Sequence, residues 1–132
     1  MAQRESTGTL DEKKHRILFV DDDQELREIV KGHLTEAGYN VDDAKDGFEA
    51  IDKLQRGNYD LLLLDITMPG KSGIDVLKFK HDQNLPCRVI MLTGMVGLSF
   101  AIKSVKLGAD DYITKPYNME YLLASISKVL AK

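Results

Sequence analysis

The chain has 132 residues, with 18 basic and 21 acidic side chains and a formal net charge of −3. That balance offers no basic footprint for nucleic acid, and no apolar run approaches the ~20 residues of a membrane span. A lone cysteine, Cys87, excludes an intrachain disulfide and suits a reducing compartment, and the length suits one domain that needs no metal or disulfide to fold.

Residues 1–15 contain no apolar signal core and read as a flexible tail, so secretion is not indicated and a cytoplasmic location is expected. The domain proper is expected over 16–132. Ile17-Leu18-Phe19-Val20 is a short apolar run ending at Asp21-Asp22-Asp23, one of which can cap the helix that follows. In that helix Leu26, Ile29, Val30, His33, Leu34 and Ala37 keep helical spacing, which predicts a packed His33, and Gly38 supplies the stop. Tyr39 to Ala44 reads as a more polar strand near a sheet edge. Ala50, Ile51 and Leu54 mark a second helix, closed by Gly57.

Leu61 to Leu64 is an unbroken apolar run with no polar alternation, the pattern of a strand covered on both faces. It stops at Asp65, and Pro69, Gly70 and Gly73 follow as turn formers. A helix from about Gly73 to His81 has poor periodicity: Ile74 and Leu77 share a face that Val76 and Phe79 do not. Arg88 to Leu92 is the fourth strand, ending at Thr93-Gly94. The fourth helix carries Leu98, Ala101, Ile102 and Val105 as its apolar stripe and stops at Gly108. Phe100 falls off that stripe and is expected on the surface as a partner contact. Asp111 to Thr114 is the fifth strand, ending at Lys115-Pro116, and Met119, Leu122, Leu123, Ile126 and Leu130 form the last helix.

Strands alternating with helices predict an α/β fold: a doubly wound, five-stranded parallel sheet of order 2-1-3-4-5, flavodoxin-like (βα)5. In such a sheet Asp21, Asp22, Asp65, Thr93 and Lys115 all come to one edge. Two carboxylates ~5 Å apart repel by about 3 kcal/mol at an effective dielectric near 20, so a cluster of three suits a bound cation. Oxygen donors favour Mg²⁺, Mn²⁺ or Ca²⁺ over zinc. A hydroxyl and an ammonium beside them would stabilise phosphoryl oxygens, and a carboxylate there reads as a phosphoryl acceptor.

The stretches ILFVDDD, YDLLLLDITMPGKSG, VIMLTG and GADDYITKP, in that order, resemble the receiver domain of bacterial two-component response regulators, chemotaxis-type regulators included. The resemblance covers about residues 16 to 131. It implies that Asp65 accepts a phosphoryl group from a histidine kinase or a histidine phosphotransfer protein, and that Asp22 binds Mg²⁺ (or Mn²⁺) directly. It implies that Asp21 acts through a coordinated water and the Thr67 backbone carbonyl is a further ligand. Lys115 would pair with Asp65 and then with the phosphoryl oxygens, Thr93 would donate its hydroxyl, and Tyr112 would be the aromatic switch. Lys115-Pro116 matches a bond usually cis in the family. Phosphorylation would bias the face of helix 4, strand 5 and helix 5 toward a downstream effector, an output domain or a homodimer. Gly94, Met95 and Gly97 depart from the family pattern, and an apolar Met95 implies slow self-dephosphorylation.

Bland readings stand beside these. Tyr112 could simply pack on the sheet, acidic triplets commonly cap helices, and His15 and His81 read as solvated. Two other functions compete: a receiver-type interaction or dimerisation module that works without phosphorylation, and a Mg²⁺-dependent aspartyl phosphohydrolase. The second wants an acid two residues after the nucleophile, where this chain has Thr67. The resemblance implies a phosphoacceptor that assists its own phosphorylation and dephosphorylation and is not otherwise an enzyme. A flavin module would want glycine, serine and threonine where the loop after strand 1 is acidic.

Overall fold

The computed structural model describes residues 14–65, 72–94 and 98–132. Strands and helices alternate along them: β1 Arg16–Val20, α1 Gln24–Glu36, β2 Asn40–Ala44, α2 Gly47–Arg56, β3 Leu61–Asp65, α3 Gly73–Asp82, β4 Arg88–Thr93, α4 Leu98–Lys106, β5 Asp111–Thr114 and α5 Met119–Leu130. Neighbouring strands all pair parallel in the order β2-β1-β3-β4-β5, the doubly wound order predicted. Of the predicted tail, residues 1–13 lie outside the described residues, and Lys14 and His15 are exposed.

Alternation along each strand divides the core in two. Leu18, Val20, Leu62, Leu64, Val89 and Met91 face α2, α3 and α4. Ile17, Phe19, Leu61, Leu63, Ile90 and Leu92 face α1 and α5. β3 is buried along its whole length because it lies between β1 and β4 with helices on both sides. β2 is the more polar edge strand expected. Its polar positions are tied down: Arg16 pairs with Asp42 at 3.2 Å and lies over the Tyr59 ring, whose hydroxyl donates to Asp42 at 2.7 Å.

Local chemistry sets the helix ends. Asp23 accepts from the Leu26 N–H and Asp46 from the Glu49 N–H, each capping the helix that follows. Ser72 and Asp75 form a reciprocal capping box on α3. Gly38 and Gly108 sit at φ 102° and 89°, the left-handed region that ends α1 and α4 at little cost only for glycine.

Two helices face differently from their apolar spacing. On α1 the packed residues are Leu26, Val30 and Leu34, while Ile29 is 51% exposed and His33 is exposed, so the predicted packing of His33 is wrong. On α4 the predicted stripe points outward, with Leu98 78%, Ile102 47% and Val105 70% exposed. The inward face is Phe100, Ser104 and Leu107, and the Phe100 ring packs on the core instead of standing on the surface. Ser104 can be fully buried because its hydroxyl donates to the Phe100 carbonyl at 2.8 Å, leaving no polar atom to solvate. On α3 Ile74, Val76 and Leu77 are all buried and Phe79 packs at the margin, a face wider than its weak periodicity implied.

Phe100→Ala should lower stability by about 1–3 kcal/mol, whereas Val105→Lys should change it by no more than about 0.5 kcal/mol. Urea denaturation of the two variants checks this. The reverse ranking would mean α4 is turned the other way.

Candidate functional site

The register explains why distant residues meet. Val20 pairs with Leu64, Asp65 with Leu92, and Thr93 with Thr114. Asp21, Asp65, Thr93 and Lys115 therefore occupy adjacent positions at the C-terminal ends of β1, β3, β4 and β5, where ligands bind in open α/β sheets. The Lys115 N–H donates to the Thr93 carbonyl at 2.7 Å, so the β4 and β5 ends are joined just where the two side chains emerge. The Lys115-Pro116 bond that follows is cis, as the resemblance implied.

Asp21 and Thr93 are fully buried and Asp65 is 3% exposed, so water contributes little to screening them. Asp22 is exposed at the rim. Carboxylate oxygens of Asp21, Asp22 and Asp65 come within 4.8 Å of one another. Lys115 Nζ lies 2.8 Å from Asp21 Oδ2 and 3.6 Å from Asp65 Oδ2. Its closer partner is thus Asp21, not the Asp65 expected from the resemblance. The other Asp21 oxygen, Oδ1, accepts from the Asp23 N–H at 2.9 Å. Burial by itself pushes the Lys115 ammonium down, but the hydrogen bond and charge of Asp21 and the charge of Asp65 outweigh it and leave the pKa raised.

Tyr112 is half-buried on β5, with its ring against the core face shared by α2, α3 and α4, and burial raises its phenol pKa. Thr67, Met95 and Gly97 lie outside the described residues. Two residues with a bearing on the site were not singled out from sequence. Tyr117 buries its hydroxyl without a hydrogen-bond partner among the described residues, and burial, with the charges of Asp21 and Asp65, lifts its pKa to about 12. Arg27 donates to the Asp21 backbone carbonyl at 2.8 Å. A place two residues after Lys115 was a signal for the first; nothing in helical spacing marks the second. His33, His15 and His81 are exposed and take no part.

Three hard oxygen donors around one point suit an oxygen-preferring divalent cation, and the Lys115 ammonium balances only part of their charge.

The model of the "Response regulator receiver domain" family matches residues 17–127. The chain belongs to that family. The receiver is 44% identical over 119 residues to the transcriptional regulatory protein CpxR of Escherichia coli, covering 89% of this chain and 50% of CpxR. Against a CheY-like receiver domain protein from Methanospirillum hungatei it is 34% identical with a TM-score of 0.87, covering 90% of this chain and 95% of that one. Against the response regulator TrrA of Thermotoga maritima, solved in complex with Mg²⁺-BeF, it is 38% identical with a TM-score of 0.79, covering 87% and 98%. The chain spans about half the length of the curated transcriptional regulators it matches. No helix among the described residues is long and apolar enough to cross a membrane.

Lys115→Met should cost about 3 kcal/mol near neutral pH, because Asp21 keeps its buried charge and loses its partner. Adding a divalent cation should recover part of that loss. A raised lysine pKa contributes stability that is fully present below about pH 10.4 and fades as pH rises through the folded value. The gap between wild type and variant should therefore narrow in strongly alkaline solution. Urea denaturation across pH, with and without cation, measures all three effects.

Proposed function

We propose that this receiver is a phosphorylation-controlled switch in which Asp65 accepts a phosphoryl group from the phosphohistidine of a histidine kinase or a histidine phosphotransfer protein. The observation that carries the reading is the meeting of Asp21, Asp22, Asp65 and Lys115 at one largely desolvated sheet edge. In the transfer, Asp65 Oδ forms a bond to phosphorus as the donor's P–N bond breaks, and the donor imidazole leaves with that electron pair. Mg²⁺ (or Mn²⁺), when bound, offsets charge on the phosphoryl oxygens and on the carboxylates. Asp22 and Asp65 would hold it directly and Asp21 through water, and the resemblance adds the Thr67 carbonyl as a further ligand.

Lys115 already lies between Asp21 and Asp65, so a short displacement of Nζ brings it onto a phosphoryl oxygen. Thr93, buried at the end of β4, donates its hydroxyl to a second oxygen. An acyl phosphate adds nearly two negative charges and three acceptor oxygens. Movement of Thr93 toward it opens space on the side where the Tyr112 ring packs, which shifts the populations of the face formed by α4, β5 and α5. The downstream target is an effector protein or an output domain. Output domains of the transcriptional kind fit the curated relatives, whose other half this chain does not cover.

A phosphorylation-independent interaction module has one observation in its favour, the outward apolar stripe of Leu98, Ile102 and Val105 on α4. It predicts self-association that is the same in wild type and Asp65→Asn. The switch predicts association, if any, that responds to phosphodonor.

Incubation with Mg²⁺ and acetyl phosphate should place an acid-stable, base-labile phosphate on the wild type and none on Asp65→Asn, read by intact-mass spectrometry. Equal labelling of both proteins would remove Asp65 from the role. The acyl phosphate should then decay over minutes or longer if Met95 slows the approach of water.

A further inference from the structure

We propose that Arg27 is a positioning residue for the cation site: it holds the Asp21–Asp22 peptide plane in the orientation that presents the Asp22 carboxylate to Asp65. The inference rests on the reading of Asp22 as a metal ligand and adds to it the group that sets the affinity.

An arginine on the first turns of a surface helix ordinarily reaches into water. Arg27 instead turns inward, with its side chain 13% exposed. Nη1 donates to the Asp21 carbonyl at 2.8 Å, and Nε donates to Asp43 Oδ2 at 3.0 Å. Asp43 stands on edge strand β2, 3.6 Å from Lys31 Nζ, and its own carbonyl accepts from Lys53 Nζ. The guanidinium fork thus has one prong on the sheet edge and one on the loop that carries the acids. Immobilising a long side chain costs rotamer entropy, and a tie between α1 and β2 needs only the first prong.

The second prong acts on geometry. The Asp21 carbonyl belongs to a planar amide whose nitrogen is that of Asp22, so fixing the oxygen fixes the direction in which the Asp22 Cα departs. The rest of this loop is anchored at Asp21: its N–H donates to the Ala44 carbonyl at 3.1 Å, and its Oδ1 accepts from the Asp23 N–H at 2.9 Å. The Asp22 carboxylate is exposed and makes no hydrogen bond or ion pair among the described residues. Its placement within 4.8 Å of the other two acids is therefore inherited from the backbone that Arg27 holds. Groups that orient ligands in this way typically change metal affinity by about 10–100-fold when removed.

Charge and position make opposite predictions. Removing a cation from the neighbourhood of three carboxylates strengthens cation binding if Arg27 acts only through its field. It weakens binding if Arg27 acts by holding the peptide plane. Isothermal titration of Mg²⁺ into wild type, Arg27→Met, Arg27→Lys and Asp43→Asn decides between them. Arg27→Met, which keeps an apolar stem, should bind Mg²⁺ about tenfold more weakly. Arg27→Lys, which keeps the charge and loses the fork, should also be weaker, and it carries the test if the methionine variant does not fold. Asp43→Asn, which spares the bond to the Asp21 carbonyl, should stay within about threefold of wild type. Mg²⁺ binding by both Arg27 variants as tight as wild type, or tighter, overturns the proposal. A tenfold loss in Asp43→Asn also overturns it, by assigning the effect to the ion pair. Failure of the wild type to bind Mg²⁺ would instead overturn the functional reading itself, and this inference with it.

Discussion

One ammonium lies between two carboxylates that water barely reaches, and the rest of the molecule can be understood from that contact. Asp21 and Asp65 are buried because their strands are central in the sheet and helices cover both faces. In that setting charges interact more strongly than in water, and each must find a partner. Lys115 serves both acids, at 2.8 and 3.6 Å, and Asp22 adds a third negative charge at the rim. The three carboxylates together carry more negative charge than Lys115 alone balances. On the functional reading proposed above, a divalent cation would offset that excess.

Support for the cluster comes from atoms outside it. The backbone of Asp21 is held at both its N–H and its carbonyl, the first by edge strand β2 and the second by α1. The ends of β4 and β5 are joined through Thr93 and Lys115. Side chains at the sheet edge are thus carried on hydrogen-bonded peptide groups. Helix α4 follows the β4 end and presents an unusually apolar outer surface, while its inner face includes a buried serine. A helix held by Phe100, Ser104 and Leu107 has a modest apolar grip on the sheet.

Much of this was legible in the residues. The buried run of Leu61 to Leu64, the acids after two apolar strands and the alternation of strands with helices led to the observed strand order and to the sheet edge where the acids meet. Periodicity failed where a residue's chemistry outweighed its polarity. Ser104 hides its hydroxyl by bonding back into its own helix, so the inward face of α4 looked polar and the outward face looked like core. His33 fits the α1 stripe by spacing, but the sheet beneath α1 needs only Leu26, Val30 and Leu34.

The sequence by itself determined the fold class and which carboxylates, hydroxyl and lysine share one edge, because side-chain periodicity and parallel pairing depend on local order along the chain. Only the tertiary structure decided which acid Lys115 prefers, which way α4 is turned, and that Arg27 reaches the Asp21 carbonyl. Those outcomes depend on contacts between residues distant in the chain, where a rotation of one helix or a shift of an ångström changes the partner.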